Sequence, residues 1–302
     1  MEKALIISYL QEKNIKFYLD FPIYELSSFE VGGLADVFVA PSTLNELCEI
    51  LIFLNRYNFK YSIIGNCTNT FFSDNAYNGV IVSTKQLNKV EINGNIISAM
   101  CGALISDCSI LAINRSLSGL EFACGIPGTV GGALFMNSSA FNHSVSDIVL
   151  ESKVFNLKSG KTSVLTSKEH LFDKKQSIFS LNRENVLLET KFLLSIEKNK
   201  NLVYTKTREN VFKRIYSQPI EFGNCGSAFK RPKNYYASKL IDQAKLKGTK
   251  IGGAEVSKKH AGFIVNSDNA TSKNILDLMG LIKSRVYDEF HVSLEEEILF
   301  ME

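Results

Sequence analysis

The chain has 302 residues, 45% of them hydrophobic and 22% charged, with a formal net charge of +3. That length accommodates about two domains of ordinary globular composition. A charge this mild, with no basic block interleaved with aromatics, excludes a nucleic-acid footprint, and no apolar stretch is long enough to span a bilayer. In chain order, residues 4–14 read as a short helix and 35–40 as a strand. Thr43-Leu-Asn-Glu46 has the form of a capping box. After it Leu44, Leu47, Leu51 and Leu54 recur at helical spacing, which predicts an amphipathic helix over 44–58. A buried strand at 61–64 leads into the polar turn Gly65-Asn-Cys-Thr-Asn-Thr70, and 80–83 is a further strand. Asn93-Gly94 closes a tight hairpin, and 103–116 is a helix with Leu104, Cys108, Leu111 and Ala112 on one face. A second hairpin joins 148–157 to 161–165 around Ser159-Gly160. Val186 to Leu194 alternates as a long strand, and the polar run Glu197 to Asn201 marks a domain boundary. Beyond it come a basic helix over about 202–216, a glycine- and lysine-rich region (221–262), a strand at 263–265, a helix over about 271–290 and a last strand near Ile298. Strands and helices mix without regular βαβ alternation, so the expected class is α+β.

The opening Met-Glu-Lys-Ala-Leu-Ile-Ile-Ser-Tyr-Leu carries no small-residue cleavage site, so a signal peptide is not expected. Cys48, Cys67, Cys101, Cys108, Cys124 and Cys225 form no Cys-x-x-Cys pair and no zinc spacing. They read as reduced residues of a cytoplasmic protein that binds no metal. The expected partner is a small molecule, with an anion among the candidates.

Gly119 to Asn137 packs Gly119, Gly125, Gly128, Gly131 and Gly132 around Pro127. Glycine has the most backbone entropy to lose, so such a run marks a backbone that must approach something closely. Two readings stand: main-chain N–H groups converging on a phosphate ahead of a helix that starts near Thr129, or a tight turn packing a helix on a sheet. The run contains no G-x-G-x-x-G, which argues against a dinucleotide fingerprint. Ser159-Gly160-Lys161-Thr162 ends like a P-loop, but Phe155 stands where its first glycine belongs. His143, His170, His260 and His291 show no metal spacing; His260, inside Ser257-Lys-Lys-His-Ala-Gly262, is the one to watch.

Four segments stand out together: Gly65-Asn-Cys-Thr-Asn69, Gly119 to Asn137, Cys225-Gly-Ser-Ala-Phe-Lys-Arg-Pro232, and Gly252-Gly-Ala-Glu-Val-Ser-Lys-Lys-His-Ala-Gly-Phe-Ile-Val-Asn266. In this order the chain resembles the UDP-N-acetylenolpyruvoylglucosamine reductases over nearly its whole length, from Ser27 to Glu297. The Phe-Lys-Arg-Pro form resembles the subclass with the more compact substrate domain. The resemblance implies an FAD-binding domain of the vanillyl-alcohol-oxidase (PCMH) type over 1–199, in two lobes of about 1–80 and 81–199, and a smaller α+β substrate-binding domain over 200–302. It implies non-covalent FAD, NADPH as hydride donor and a UDP-sugar nucleotide as substrate, whose enolpyruvyl group is reduced to give UDP-N-acetylmuramate for peptidoglycan. Gly65, Asn66, Cys67, Thr68, Asn69, Gly128, Thr129 and Gly131 would cradle the FAD pyrophosphate, with Asn137 close to the flavin. Ser227 matches the family's proton donor and Glu297 its polarising glutamate, with an offset within Glu295-Glu296-Glu297 as the competing assignment.

Three departures bear on activity. Leu171-Phe-Asp-Lys-Lys-Gln-Ser177 puts Lys174 where a tyrosine belongs and Lys175 where the catalytic arginine belongs. Lysine keeps the charge but loses the planar fork that suits a carboxylate. Either Lys175 meets the substrate carboxylate monodentately, or activity is lower, or the geometry differs. Ser217-Gln-Pro219 lacks the lysine expected before Gln-Pro, leaving Lys213, Arg214, Lys230 or Arg231 to meet the diphosphate. Cys67-Thr68 replaces Gly-Ser in the pyrophosphate loop. Two other readings remain: a flavin-binding protein with altered or lost turnover, and another FAD oxidoreductase acting on a small alcohol or sugar. Oligomeric state is not legible.

Overall fold

The computed structural model describes residues 2–302, apart from the side chains of residues 2 and 200. The chain forms two compact units. The first takes the chain up to Leu19, then Val37–Asn66 and Gly79–Phe212; the second takes Asp20–Asp36, Cys67–Asn78 and Lys213–Glu302. This differs from the cut near residue 200 drawn from the sequence. The polar run at 197–201 only opens the helix Lys200–Ser217. Phe29, Val31 and Phe71 are buried in the second core rather than the first, which draws two early segments into the second unit.

The first unit is built around a five-stranded sheet in the order 161–166, 149–156, 185–193, 96–100, 90–93, with every neighbouring pair antiparallel. A four-stranded sheet runs in the order 17–22, 34–39, 77–83, 61–64, and its last pair is parallel. The helix Leu44–Arg56 buries Leu47, Ile50, Leu51 and Leu54. Its start differs from the capping box in one respect: Thr43 accepts from the Glu46 N–H, but the Glu46 carboxylate reaches back to Ser42, at 2.8 Å from its N–H. The hairpin turns fall where the turn residues put them, with Gly94 at φ +60 and Gly160 at φ +66. Ser159-Gly160-Lys161-Thr162 is therefore a hairpin corner and no P-loop.

In the second unit a three-stranded antiparallel sheet, 250–251, 254–256 and 264–266, carries the helix Ser272–Phe290. That helix buries Ile275, Leu278, Met279, Ile282 and Val286 at a helical spacing. The helix Ala237–Gln243 and the strands 17–22 and 254–256 were not expected from the sequence. Strand 299–301 pairs in parallel with 70–72, so the turn read at 65–70 ends in a strand. Among the described residues no helix is long and apolar enough to cross a membrane.

Candidate functional site

In the first unit, strand 61–64 delivers Gly65 and Asn66 to the glycine run. The Asn66 amide donates to the Pro127 carbonyl at 2.8 Å. A Cβ on Gly65 would lie 2.3 Å from Thr129 Oγ1, so only glycine permits this approach. Thr129 caps the short helix Val130–Phe135 through the Gly132 N–H. The glycine run thus packs a helix against neighbouring segments, the second of the two readings drawn from the sequence. The Gly131 N–H donates to the Cys101 carbonyl at 2.8 Å, and that of Val130 to the Ala103 carbonyl. Gly131 was expected to offer its N–H to the pyrophosphate; instead the donor is spent on packing, and a Cβ there would lie 3.0 Å from the same Cys101 oxygen. Among the described residues no acceptor meets the N–H groups of Gly65, Asn66, Gly128 or Thr129. Donors left over around two converging loops form a cradle for an anionic group, which fits a cofactor pyrophosphate.

Asn137 is 8% exposed and at φ +43. Its amide donates to the Asp173 carbonyl at 2.9 Å and its oxygen accepts from the Ser146 N–H at 3.2 Å. Asp173 and Gln176 exchange backbone hydrogen bonds around a two-residue corner, Lys174-Lys175. Lys174 is exposed and Lys175 half-buried. Lys175 is at φ +56, a region that costs a non-glycine residue of order 1 kcal/mol. Ser177 closes the segment by donating to the Phe135 carbonyl at 3.0 Å.

In the second unit, Gly226 at φ +76 turns the chain into Ser227. Ser227 bridges Phe263, and the next residue is held on both sides: the Ala228 N–H donates to Gly262 at 2.8 Å and its carbonyl accepts from the Glu297 N–H at 2.9 Å. Ser227 and Glu297 thus come together on neighbouring backbone segments. Of the three consecutive glutamates, Glu295 and Glu296 are exposed and pair with Lys230 at 3.4 Å and Lys283 at 2.6 Å. Glu297 alone is buried, at 9% exposure. Asn69 donates its amide to the Glu297 carbonyl at 3.0 Å. Cys67 sits at φ +48 and is buried; its carbonyl accepts from the Ser28 N–H. Thr68 beside it is half-buried.

The four candidate diphosphate cations are engaged differently. Lys230 faces Glu295, while Arg214 reaches Gln218 at 3.4 Å. The Arg231 guanidinium lies 3.8 Å from the Tyr236 ring centroid and bonds the Tyr235 carbonyl. Lys213 is exposed in the last turns of its helix. Lys259, within the fourth segment but given no role by the sequence, donates to the Ile215 carbonyl at 2.8 Å and ties that helix end to the Lys-His-Ala-Gly segment. His260 accepts the Gly262 N–H on Nδ1 at 3.1 Å, and burial lowers its pKa. None of the six cysteines, all among the described residues, forms a disulfide. Burial raises the Cys101 and Cys108 thiols to about 12. Among the described residues no cluster of His, Cys, Asp and Glu is placed to hold a metal.

Residues 218–301 match the family described as UDP-N-acetylenolpyruvoylglucosamine reductase, C-terminal domain, and 35–166 match a family described as FAD binding domain. A UDP-N-acetylenolpyruvoylglucosamine reductase 2 of Bacillus anthracis is 42% identical over 89% of this chain and 87% of its own. A UDP-N-acetylenolpyruvoylglucosamine reductase of Caldicellulosiruptor bescii is 37% identical over 97% and 93%. The crystal structure of the Thermus caldophilus UDP-N-acetylenolpyruvylglucosamine reductase superposes with a TM-score of 0.80 at 27% identity, covering 95% of this chain and 99% of that one.

Proposed function

Because the chain belongs to the UDP-N-acetylenolpyruvoylglucosamine reductase family, we propose a division of labour among its residues for the NADPH-dependent reduction of UDP-N-acetylglucosamine enolpyruvate to UDP-N-acetylmuramate. FAD bound here and reduced by NADPH would supply the hydride for C3 of the enolpyruvyl group. Gly65, Asn66, Gly128 and Thr129 would hold the FAD pyrophosphate with their unclaimed N–H groups, helped by Cys67, Thr68 and Asn69 further along the same loop. Asn137 would lie close to the flavin.

Hydride arrival at C3 leaves an electron pair at C2, shared with the substrate carboxylate. Ser227 donates its hydroxyl proton to C2, completing the addition of H2 across the double bond. A serine hydroxyl is a weak acid, so it must be held in place and aided by neighbours. The observation that supports this reading is the Glu297 N–H to Ala228 carbonyl hydrogen bond, which ties the backbone of the buried Glu297 to the segment of Ser227. Glu297 polarises the enolpyruvyl group and supports that proton transfer. Lys175 places positive charge against the carboxylate, where charge develops in the transition state. Lys213, Arg214, Lys230 and Arg231 are the cations for the diphosphate, with contacts that weaken as salt rises. Six cysteines outside any disulfide support a cytoplasmic setting.

The deciding experiment is anaerobic reoxidation of the NADPH-reduced holoenzyme on adding the enolpyruvyl sugar nucleotide. Ser227→Ala should leave flavin reduction by NADPH within a few-fold of the parent and slow reoxidation by roughly 10²-fold or more, the scale for losing a positioned acid. Reoxidation at the parental rate removes Ser227 from its role. A parent that does not reoxidise at all removes the function.

A further inference from the structure

The first unit holds a buried polar chain that the reaction as described does not use. His170 is 0% exposed. Its Nδ1 lies 2.8 Å from the Thr166 carbonyl, an acceptor only, so the ring proton sits there. Its Nε2 must then accept, and it takes the Ser152 hydroxyl at 2.8 Å. Ser152 Oγ is 2.8 Å from Thr190 Oγ1, so Thr190 donates to Ser152. Ser152 and Thr190 face each other on paired strands, at 1% and 0% exposure. The chain therefore fixes the imidazole to the middle of the five-stranded sheet.

The other side of the ring faces the segment of Lys175. Phe172 stacks on it at 5.0 Å between centroids and 10° between planes, and Phe179 meets it edge-on at 5.9 Å. These two phenylalanines bracket residues 173–178, which hold the Lys174-Lys175 corner. An apolar side chain at position 170 would fill the same space without a desolvation cost. What the hydrogen bonds add is a fixed ring angle, and through Phe172 a fixed seat for the corner.

We propose that His170 is a positioning residue for Lys175, acting through the Thr190–Ser152–His170 chain and the Phe172 stack, and thereby sets how tightly the substrate carboxylate is held. This rests on the reading of Lys175 as the cation for that carboxylate.

The test is a double-mutant cycle on the FAD-loaded enzyme, with UDP-N-acetylmuramate binding to the oxidised form followed by flavin absorbance. Thr190→Val and Ser152→Ala each remove one oxygen at nearly constant shape, and serve even where His170→Phe does not fold. Each should weaken binding by roughly tenfold, the scale of one lost buried hydrogen bond. KM for the enolpyruvyl substrate should rise in step while NADPH-driven flavin reduction is unchanged. Thr190→Ser, which keeps the hydroxyl, should restore parental binding. In a Lys175→Ala background the Val and Ala substitutions should have less than a twofold effect, because coupled residues are not additive. The same tenfold loss in both backgrounds would mean a structural role only, and would overturn the proposal while leaving Lys175 in place. Parental binding by Lys175→Ala alone would overturn the reading of Lys175 and the proposal with it.

Discussion

The side-chain amide of Asn69 donates to the main-chain carbonyl of Glu297 at 3.0 Å, across 228 residues of sequence. The bond is doubled, since the Leu299 N–H returns to the Asn69 carbonyl at 2.9 Å. The residue that ends the proposed pyrophosphate loop therefore also pins the backbone at Glu297, the proposed polarising carboxylate, and at the start of strand 299–301. Asn69→Ala leaves a half-buried carbonyl without its donor, a cost of about 1–3 kcal/mol. We expect lower thermal stability and slower substrate-driven flavin reoxidation from this substitution. An unchanged reoxidation rate in a variant of reduced stability would separate the two roles of Asn69.

Lys175→Ala should slow reoxidation by roughly 10²- to 10³-fold, the scale for removing one group that stabilises developing charge, with reduction by NADPH little changed. Lys175→Arg restores a planar fork. It should match or exceed the parent where the left-handed corner at φ +56 admits the longer side chain. Stopped-flow absorbance at the flavin band reads both half-reactions, and normal turnover of Lys175→Ala would transfer the role to another cation.

Gly65→Ala would set a methyl 2.3 Å from Thr129 Oγ1, inside contact distance, so Thr129 or the loop must shift. The purified variant should carry less FAD than the parent, read as the ratio of flavin to protein absorbance, while its far-ultraviolet circular dichroism is kept. Full FAD occupancy would show that the cradle lies elsewhere.

Stability should fall as pH drops below about 6.5. Burial lowers the pKa of His170 from 6.5, and burial with nearby Lys247 lowers that of His260. Between the lowered values and 6.5 the unfolded chain binds protons that the folded chain does not, so stability rises with pH across that window and is fully present above it. Urea melts at pH 7.5 and 5.5 measure the slope, and His170→Phe should flatten part of it. A slope of the opposite sign would contradict the buried, neutral imidazoles.

Much of the fold was legible because the determinants are local. Asn93-Gly94, the Leu44–Leu54 stripe and the alternation of Val186 to Leu194 each fix an element within a few residues, and all three elements are present. Strand 17–22 was hidden because its burial does not alternate, and helix 237–243 because seven residues give fewer than two full repeats of a helical pattern. Within the candidate site, the motifs singled out Ser227 and Glu297, which the fold places on neighbouring backbone segments. Nothing in Glu295-Glu296-Glu297 itself says which carboxylate is buried, because pairing with a segment about 70 residues earlier decides it. The left-handed corner at Lys175 was equally hidden, since lysine is no signal for positive φ. The loss of the Gly131 donor to Cys101 depends on a strand end 30 residues away.

The second unit is assembled from Asp20–Asp36, Cys67–Asn78 and Lys213–Glu302. On the ribosome its first two pieces emerge long before the third, and strand 70–72 has no partner until residues 299–301 are made. Phe29, Val31 and Phe71, which end at 2% exposure or less, must therefore wait in the nascent chain while at least the roughly 130 residues between the second and third pieces are translated, about 7–27 s at 5–20 residues per second, and strand 70–72 waits roughly 230 residues, about 11–45 s, for its own partner. Synthesis of this protein thus carries an interval in which apolar surface is shielded only by chaperones or by transient contacts. Slowing translation after residue 212 should lower soluble yield without altering the finished enzyme.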